Sequence, residues 1–330
     1  MGGTKRLNVP ETAATGALAI SIVVPMFNEA ANVASFFGRL LSTLDQLGLD
    51  YEVVCVDDGS TDGTRELLLA ARAESPRIKI VGLSRNFGKE VALTAGLRYA
   101  GGAAVVPIDA DLQHPPELIP ALVDKWREGF DVVYAVRRNR AADTPLRRLS
   151  ARMFYRIFDL LSDVSMPRDA GDFRLLDRRV VDVINTMPER SRFMKGIFAW
   201  VGFRQVGVQF DPDERFVGKS KWRFGRLFHY AADALTAFSN FPLIAWGYIG
   251  AVIAFASLAA GAFFIVRTLI LGVDVPGYAS LIVAVLFFGG MQLLTLGIIG
   301  GYLGRVFEEV KRRPLYVVAE TWGFEEAGPG

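Results

Sequence analysis

The chain has 330 residues, 51% hydrophobic and 22% charged, with a mean hydropathy of +0.28, a balance that excludes a disordered chain. Its 37 Lys and Arg against 35 Asp and Glu leave a net charge of +2, without the basic excess of a dedicated nucleic-acid binder. The single cysteine, Cys55, excludes an intrachain disulfide and a thiolate metal centre.

In chain order, residues 1–17 are polar and read as a mobile N-terminal tail. The run 18–24 is too short for a signal sequence and stops at Pro25, so no cleaved leader is expected. Residues 19–24 are β-rich, and a helix is predicted over 29–47. Strands at 51–56, 78–83, 103–108 and 132–136 then alternate with helices at 62–74, 89–99 and 116–128. Short strands joined by amphipathic helices predict βαβ units and a mostly parallel sheet, with ligands beyond the carboxyl ends of the strands. Residues 215–241 place Phe224, Leu227, Phe228, Ala231, Leu235 and Phe238 at helical spacing among basic residues, the pattern of a helix lying in a membrane interface. Two apolar runs follow, 243–271 and 278–303, each longer than the roughly 20 residues that span a bilayer. A short turn with Asp274 joins them, and Lys and Arg flank both outer ends. The positive-inside rule then predicts a multi-pass hairpin over 242–304 with the 18–214 domain and the 305–330 tail in the cytoplasm, the tail carrying a short strand at 314–318. Gly297, Gly300, Gly301 and Gly304 give the second run a small-residue stripe suited to close helix approach.

Polar clusters fall where the strands end. Pro25, Asn28 and Glu29 follow the first; Asp57-Asp58-Gly-Ser-Thr-Asp62 follows the second; Asp109-Ala-Asp111-Leu-Gln113-His114 follows the fourth. Each alone is ordinary turn chemistry, and Asp62 has the position of a helix cap. Three acidic clusters at successive ligand-facing ends are another matter, since such carboxylates repel unless a cationic or hydrogen-bonding group joins them. Asp109, Asp111 and Gln113 are spaced two apart in an extended stretch and so share a face. Hard oxygen ligands in that arrangement suit Mg²⁺ or Mn²⁺ held together with substrate phosphates. Neither a P-loop nor a Gly-x-Gly-x-x-Gly fingerprint is present. The two histidines, His114 and His229, and Cys55 read as structural.

Three further stretches complete the pattern: Arg85-Asn-Phe-Gly-Lys89, Asp169-Ala-Gly-Asp172-Phe-Arg174, and Arg215 with Gly218-Lys219-Ser-Lys221. Together with the clusters above they resemble glycosyltransferase family 2 with the GT-A fold, over about residues 19–318. Within that family the chain looks like the polyprenyl-phosphate glycosyltransferases, the group of dolichol-phosphate mannose synthases and bactoprenol glucosyltransferases. The resemblance implies a Rossmann-like α/β catalytic domain in the cytoplasm, amphipathic interface helices and a two-helix transmembrane hairpin in the inner membrane. It implies a nucleotide-sugar pocket at Pro25, Asn28, Glu29, Asp57, Asp58, Lys89 and Asp109. A divalent metal is expected on Asp109, Asp111 and Gln113, with Asp172 and Asp111 in catalytic roles. Lipid-phosphate contacts are expected from Arg137, Arg215, Lys219 and Lys221.

The reaction so implied moves a sugar, glucose from UDP-glucose in the leading reading, onto polyprenyl phosphate with inversion at the anomeric carbon. GDP-mannose, UDP-N-acetylhexosamine and UDP-aminoarabinose stay open as donors, and Asp172 stays open as base or positioning group. The resemblance also suggests a homo-oligomer, a tetramer in some relatives. A processive polysaccharide synthase is disfavoured by the lack of a Gln-x-x-Arg-Trp motif. The reading from another class is a non-catalytic membrane scaffold or flippase partner; two spans without intramembrane charge pairs make a poor transport path, and the intact Asp109, Asp111 and Gln113 set argues against a scaffold.

Overall fold

The structure, a computed structural model, describes residues 18–137, 170–190, 192–210, part of 248–270, and 277–324. The chain divides into two units, one holding the sheet and its helices, the other holding residues 224–313.

In the first unit β1 (Ile20–Met26), α1 (Ala30–Gln46), β2 (Tyr51–Asp57), α2 (Thr64–Glu74), β3 (Ile78–Leu83), α3 (Lys89–Tyr99) and β4 (Ala104–Pro107) follow one another as the sequence predicts. The predicted helix at 116–128 is a single 3₁₀ turn, Pro116–Leu118, running into α4 (Ile119–Arg127). Then come β5 (Val132–Arg137), β6 (Ala170–Asp177), α5 (Arg178–Thr186), α6 (Met194–Trp200) and β7 (Gln205–Phe210). The strands form one eight-stranded sheet in the order β7-β5-β6-β4-β1-β2-β3-β8, where β8 is Val318–Trp322. Its centre, β4-β1-β2-β3, is parallel, while β6 runs antiparallel between β4 and β5.

The central strands are near-continuous apolar runs because both faces are covered. Ile20, Ile22, Val24, Val53 and Cys55 face one side, with Phe36 and Leu40 of α1, Leu68 of α2 and Leu122 of α4. On the other side lies α3, packed so closely that a Cβ on Gly96 would stand 2.2 Å from Val23 Cγ1. The sheet order reverses beside β1, between β2 and β4, which is where an open α/β sheet opens a crevice at its carboxyl edge.

In the second unit the described residues between 248 and 270 are helical, and α7 runs Tyr278–Val310. The helix continues beyond the apolar run 278–303, through Arg305, Glu308 and Glu309. Its segment Phe287–Val310, 24 residues with a mean hydropathy of 1.3, is the one helix among the described residues long and apolar enough to cross a membrane. The expected two-helix, multi-pass hairpin is therefore not supported by the described residues. Much of the 243–271 run, all of the 1–17 tail and the whole 215–241 interface region lie outside them.

The strand expected at 314–318 lies further on, at Val318–Trp322. Its ladder with β3 begins at Leu83↔Val318, and Pro314 has no amide to donate to one.

Candidate active site

At the carboxyl edge the loops after β1 and β2 are tied together by side chains. Asn28 takes a left-handed backbone, φ 55°, which asparagine tolerates. Its amide donates to Ser60 Oγ at 3.0 Å, and its Oδ1 accepts from the Thr61 amide at 2.8 Å. The Glu29 amide donates to Thr64 Oγ1 at 2.9 Å, and Glu29 Oε2 accepts from Asn32 Nδ2 at 2.6 Å. Asp62 accepts from the Ala30 amide through Oδ2 (3.2 Å) and from the Thr64 amide through Oδ1 (3.2 Å), so one carboxylate serves the starts of α1 and α2. Pro25, half-buried, pairs with Val56 in the β1–β2 ladder.

The Asp57-Asp58 pair is engaged in the same way. Asp57 is fully buried; Oδ1 accepts from the Ser60 amide at 3.0 Å, and Oδ2 pairs with Arg65 at 2.9 Å. Asp58 accepts from the Phe87 and Gly88 amides at 2.7 and 2.9 Å, which fixes the turn that launches α3. Burial pushes the Asp58 carboxyl above its usual range, the two amides offsetting only part of the effect. Gly59, φ 69°, lets this loop lie against the backbone of Arg85, where a Cβ would come within 2.7 Å.

The third cluster is a cation between two acids. In the antiparallel β4–β6 ladder Ala104 pairs with Asp177 and Val105 with Leu176, so the same register carried onward sets Asp109 level with Asp172. Lys89, the first residue of α3, reaches both: its Nζ is 2.8 Å from each Asp109 oxygen and 2.8 Å from Asp172 Oδ2. Burial opposes the Lys89 charge, but the two carboxylates outweigh it and hold the ammonium above the ordinary lysine value. Burial likewise pushes Asp172 up, and Lys89, Lys195 and Arg174 overcome it, so its carboxyl lies well below the usual range. Asp172 Oδ1 is buried and makes no hydrogen bond among the described residues.

Asp109, Asp111 and Gln113 are half-exposed while Ala110, Leu112 and His114 are buried, but the stretch is a turn followed by bends and not the extended segment expected from the sequence. Leu112 has φ 58°, a strained conformation for a branched side chain, held by burial of that side chain in the core. Asp111 Oδ1 accepts from the Gln113 amide at 3.1 Å. The His114 ring packs on Phe173 and Phe210, with centroids 5.4 and 5.8 Å away, and so braces the acidic turn against β6 and β7.

Of the predicted site residues, the structure joins Lys89, Asp109 and Asp172 directly and keeps Asp111 and Gln113 in the same turn. Asn28, Asp57 and Asp58 spend side-chain bonds on holding the loops. Arg137 ends β5 opposite Phe210; its side chain, with Arg215, Lys219 and Lys221, lies outside the described residues. Sequence reasoning gave no role to Lys195, on α6, or to Arg174, which is buried with its guanidinium 4.1 Å from the Phe198 ring centroid. Burial lowers Arg174 to about 10, against the opposing pull of Asp172 and Glu90, so it stays charged at neutral pH. The Arg174 signal was present in the Gly-Asp-Phe-Arg stretch; Lys195 sits in no motif.

Known proteins match this sequence. The model of the family described as glycosyl transferase family 2 matches residues 21–184. The uncharacterized glycosyltransferase sll0501 of Synechocystis sp. (strain ATCC 27184 / PCC 6803 / Kazusa) is 55% identical over 306 residues, covering 93% of this chain and 96% of its own. The uncharacterized glycosyltransferase YkcC of Bacillus subtilis (strain 168) is 43% identical, covering 92% and 94%. The SfII prophage-derived bactoprenol glucosyl transferase of Shigella flexneri is 42% identical, covering 92% and 98%. Strand order, acidic turn and near-full-length relatives agree: the chain belongs to glycosyl transferase family 2 and is a glycosyltransferase with a GT-A-like α/β fold built on a mostly parallel sheet.

Proposed function

We propose that this enzyme transfers glucose from UDP-glucose to a polyprenyl phosphate at the cytoplasmic face of the inner membrane, with inversion at the anomeric carbon. The observation that carries the reading is the juxtaposition of Asp109 and Asp172 across Lys89 at the sheet's carboxyl edge. Similarity along nearly the whole chain to a bactoprenol glucosyl transferase points to the lipid acceptor and to the sugar. The apolar helix Phe287–Val310, with exposed Leu293, Leu296 and Leu303, and the run 243–271 supply the membrane attachment in this reading.

The donor set fits a divalent ion. Among the described residues no three His, Cys, Asp or Glu side chains converge on one metal position. Two carboxylates and an amide oxygen make the partial, hard-oxygen shell of Mg²⁺ or Mn²⁺ shared with a diphosphate, rather than a closed protein cage. Asp109, Asp111 and Gln113 would hold the ion, which supplies Lewis-acid stabilisation of charge on the departing nucleoside diphosphate.

The protein's own groups do the rest. Asp172, held anionic by Lys89 and Lys195, is a poor base. The acceptor needs little help from one: a phosphate monoester has a second pKa of about 6 and is already largely a dianion near neutrality. In this reading Asp172 positions the sugar or acceptor, and Arg215, Lys219 and Lys221 capture the lipid phosphate at the bilayer surface.

The test is a donor panel. Detergent-purified protein receives a short polyprenyl phosphate, Mg²⁺ or Mn²⁺, and one nucleotide sugar at a time, and nucleoside diphosphate release is followed. UDP release with UDP-glucose alone, dependent on lipid and abolished by chelator, is the expected result. Another productive donor would reassign the sugar. Asp111→Asn should lower turnover by about 100-fold or more while the protein stays folded, whereas a scaffold would be indifferent to it.

A further inference from the structure

Lys89 occupies an unusual position for a lysine beside a turn proposed to hold a divalent cation. Its ammonium is 2.8 Å from both oxygens of Asp109, the first carboxylate of the acidic turn. It is also 2.8 Å from Asp172, at the start of the neighbouring strand. The placement is built rather than incidental. Asp58 accepts from the Phe87 and Gly88 amides, so the residue just before Lys89 is pinned, and Gly59 lets the two loops meet without a Cβ between them. Gly96 seats α3 against Val23 and Val56, fixing the helix whose first residue is Lys89.

An ammonium and a divalent ion compete for the same oxygens. Coulomb repulsion prevents both from sitting on Asp109, because like charges a few ångströms apart cost several kcal/mol even at an effective dielectric of about 20. Asp172 offers Lys89 a second carboxylate, whose buried Oδ1 makes no hydrogen bond among the described residues. The ammonium therefore has an anionic partner to keep when it leaves Asp109.

Resting on the reading above, we propose that Lys89 is an exchangeable counter-ion: it covers Asp109 until a nucleoside diphosphate arrives, then yields Asp109 to the metal and pairs with the diphosphate while remaining near Asp172. Metal and donor then enter together, each raising the other's affinity by the same factor. An enzyme built this way does not load metal ahead of its donor.

The experiment measures Mn²⁺ binding to the full chain in detergent by electron paramagnetic resonance of the free ion, without nucleotide and with UDP. Wild type, Lys89→Gln, Lys89→Met and Lys89→Arg are compared, each checked for native circular dichroism. Without nucleotide, the Gln and Met variants should bind Mn²⁺ about tenfold or more tightly than wild type. The Arg variant should bind as weakly as wild type, and the enhancement of Mn²⁺ affinity by UDP should shrink in the neutral variants. A residue with a merely structural role would not tighten metal binding when removed. Unchanged or weaker nucleotide-free binding in both neutral variants, with wild type still binding Mn²⁺ in the presence of UDP, overturns the proposal alone. Failure of wild type to bind Mn²⁺ even with UDP or UDP-glucose overturns the functional reading and the proposal with it.

Discussion

Asp62 joins the starts of α1 and α2, so its loss leaves an orphan amide on each. Burial raises its pKa, but the Thr64 hydroxyl and the Ala30 and Thr64 amides outweigh that, so its carboxyl lies below the usual range. A depressed carboxylate contributes stability that is present above the unfolded value of about 3.9 and is lost as pH falls through the lower, folded value. Asp62→Ala should cost about 1–2 kcal/mol at pH 7, with the gap to wild type narrowing in urea titrations as pH falls below the unfolded carboxylate value. A gap independent of pH would show that the charge plays no part. The sequence marked Asp62 as a cap for one helix and could not show the second, because Ala30 precedes it by a whole helix and strand. For Asp57 and Asp58 the limit was different. A carboxylate at a strand end reads alike whether it meets a ligand or holds a loop, and only the Arg65, Ser60, Phe87 and Gly88 partners show the loop-holding use.

The elements of the first half were legible because their apolar runs have the lengths of buried strands and helices. The α3 sequence buries Ala92, Leu93, Ala95, Gly96 and Leu97 against the sheet, and β1 to β3 are apolar on both faces. The strand β6 escaped prediction: it carries Gly171 and Asp172, residues depleted in strands, and the charged Arg174, which is nonetheless buried. Its place between β4 and β5 comes from tertiary pairing that no local window contains. Helix α3 gives a test at this scale. In an exposed helix Gly→Ala stabilises by about 1 kcal/mol, but at Gly96 the added methyl meets Val23 Cγ1 and Val56 Cγ2. Gly96→Ala should therefore destabilise by about 1–3 kcal/mol and lower turnover as Lys89 is displaced. A higher melting temperature would mean that α3 packs less tightly than described.

At the scale of the whole molecule, the acidic turn and the parallel core were readable from the chain, while the sheet's outer order was not. The strands β6, β7 and β8 reach it from distant parts of the sequence. The apolar second unit was readable by composition, and a fractionation experiment checks it. The full chain should sediment with membranes, resist alkaline carbonate and be released by detergent; release by carbonate alone would assign the exposed apolar face of α7 to a protein partner instead. The pairing of β8 with β3 has a further consequence for how the protein is made. β3 is translated early, but its edge partner emerges from the ribosome only after α7 has been synthesised. Until then the nascent sheet shows an open edge, the kind of surface that recruits chaperones or seeds aggregation. Completion of the catalytic sheet is thus deferred until the apolar helix has been synthesised, and a chain stalled before that point would present its unpaired β3 to the cell's quality control.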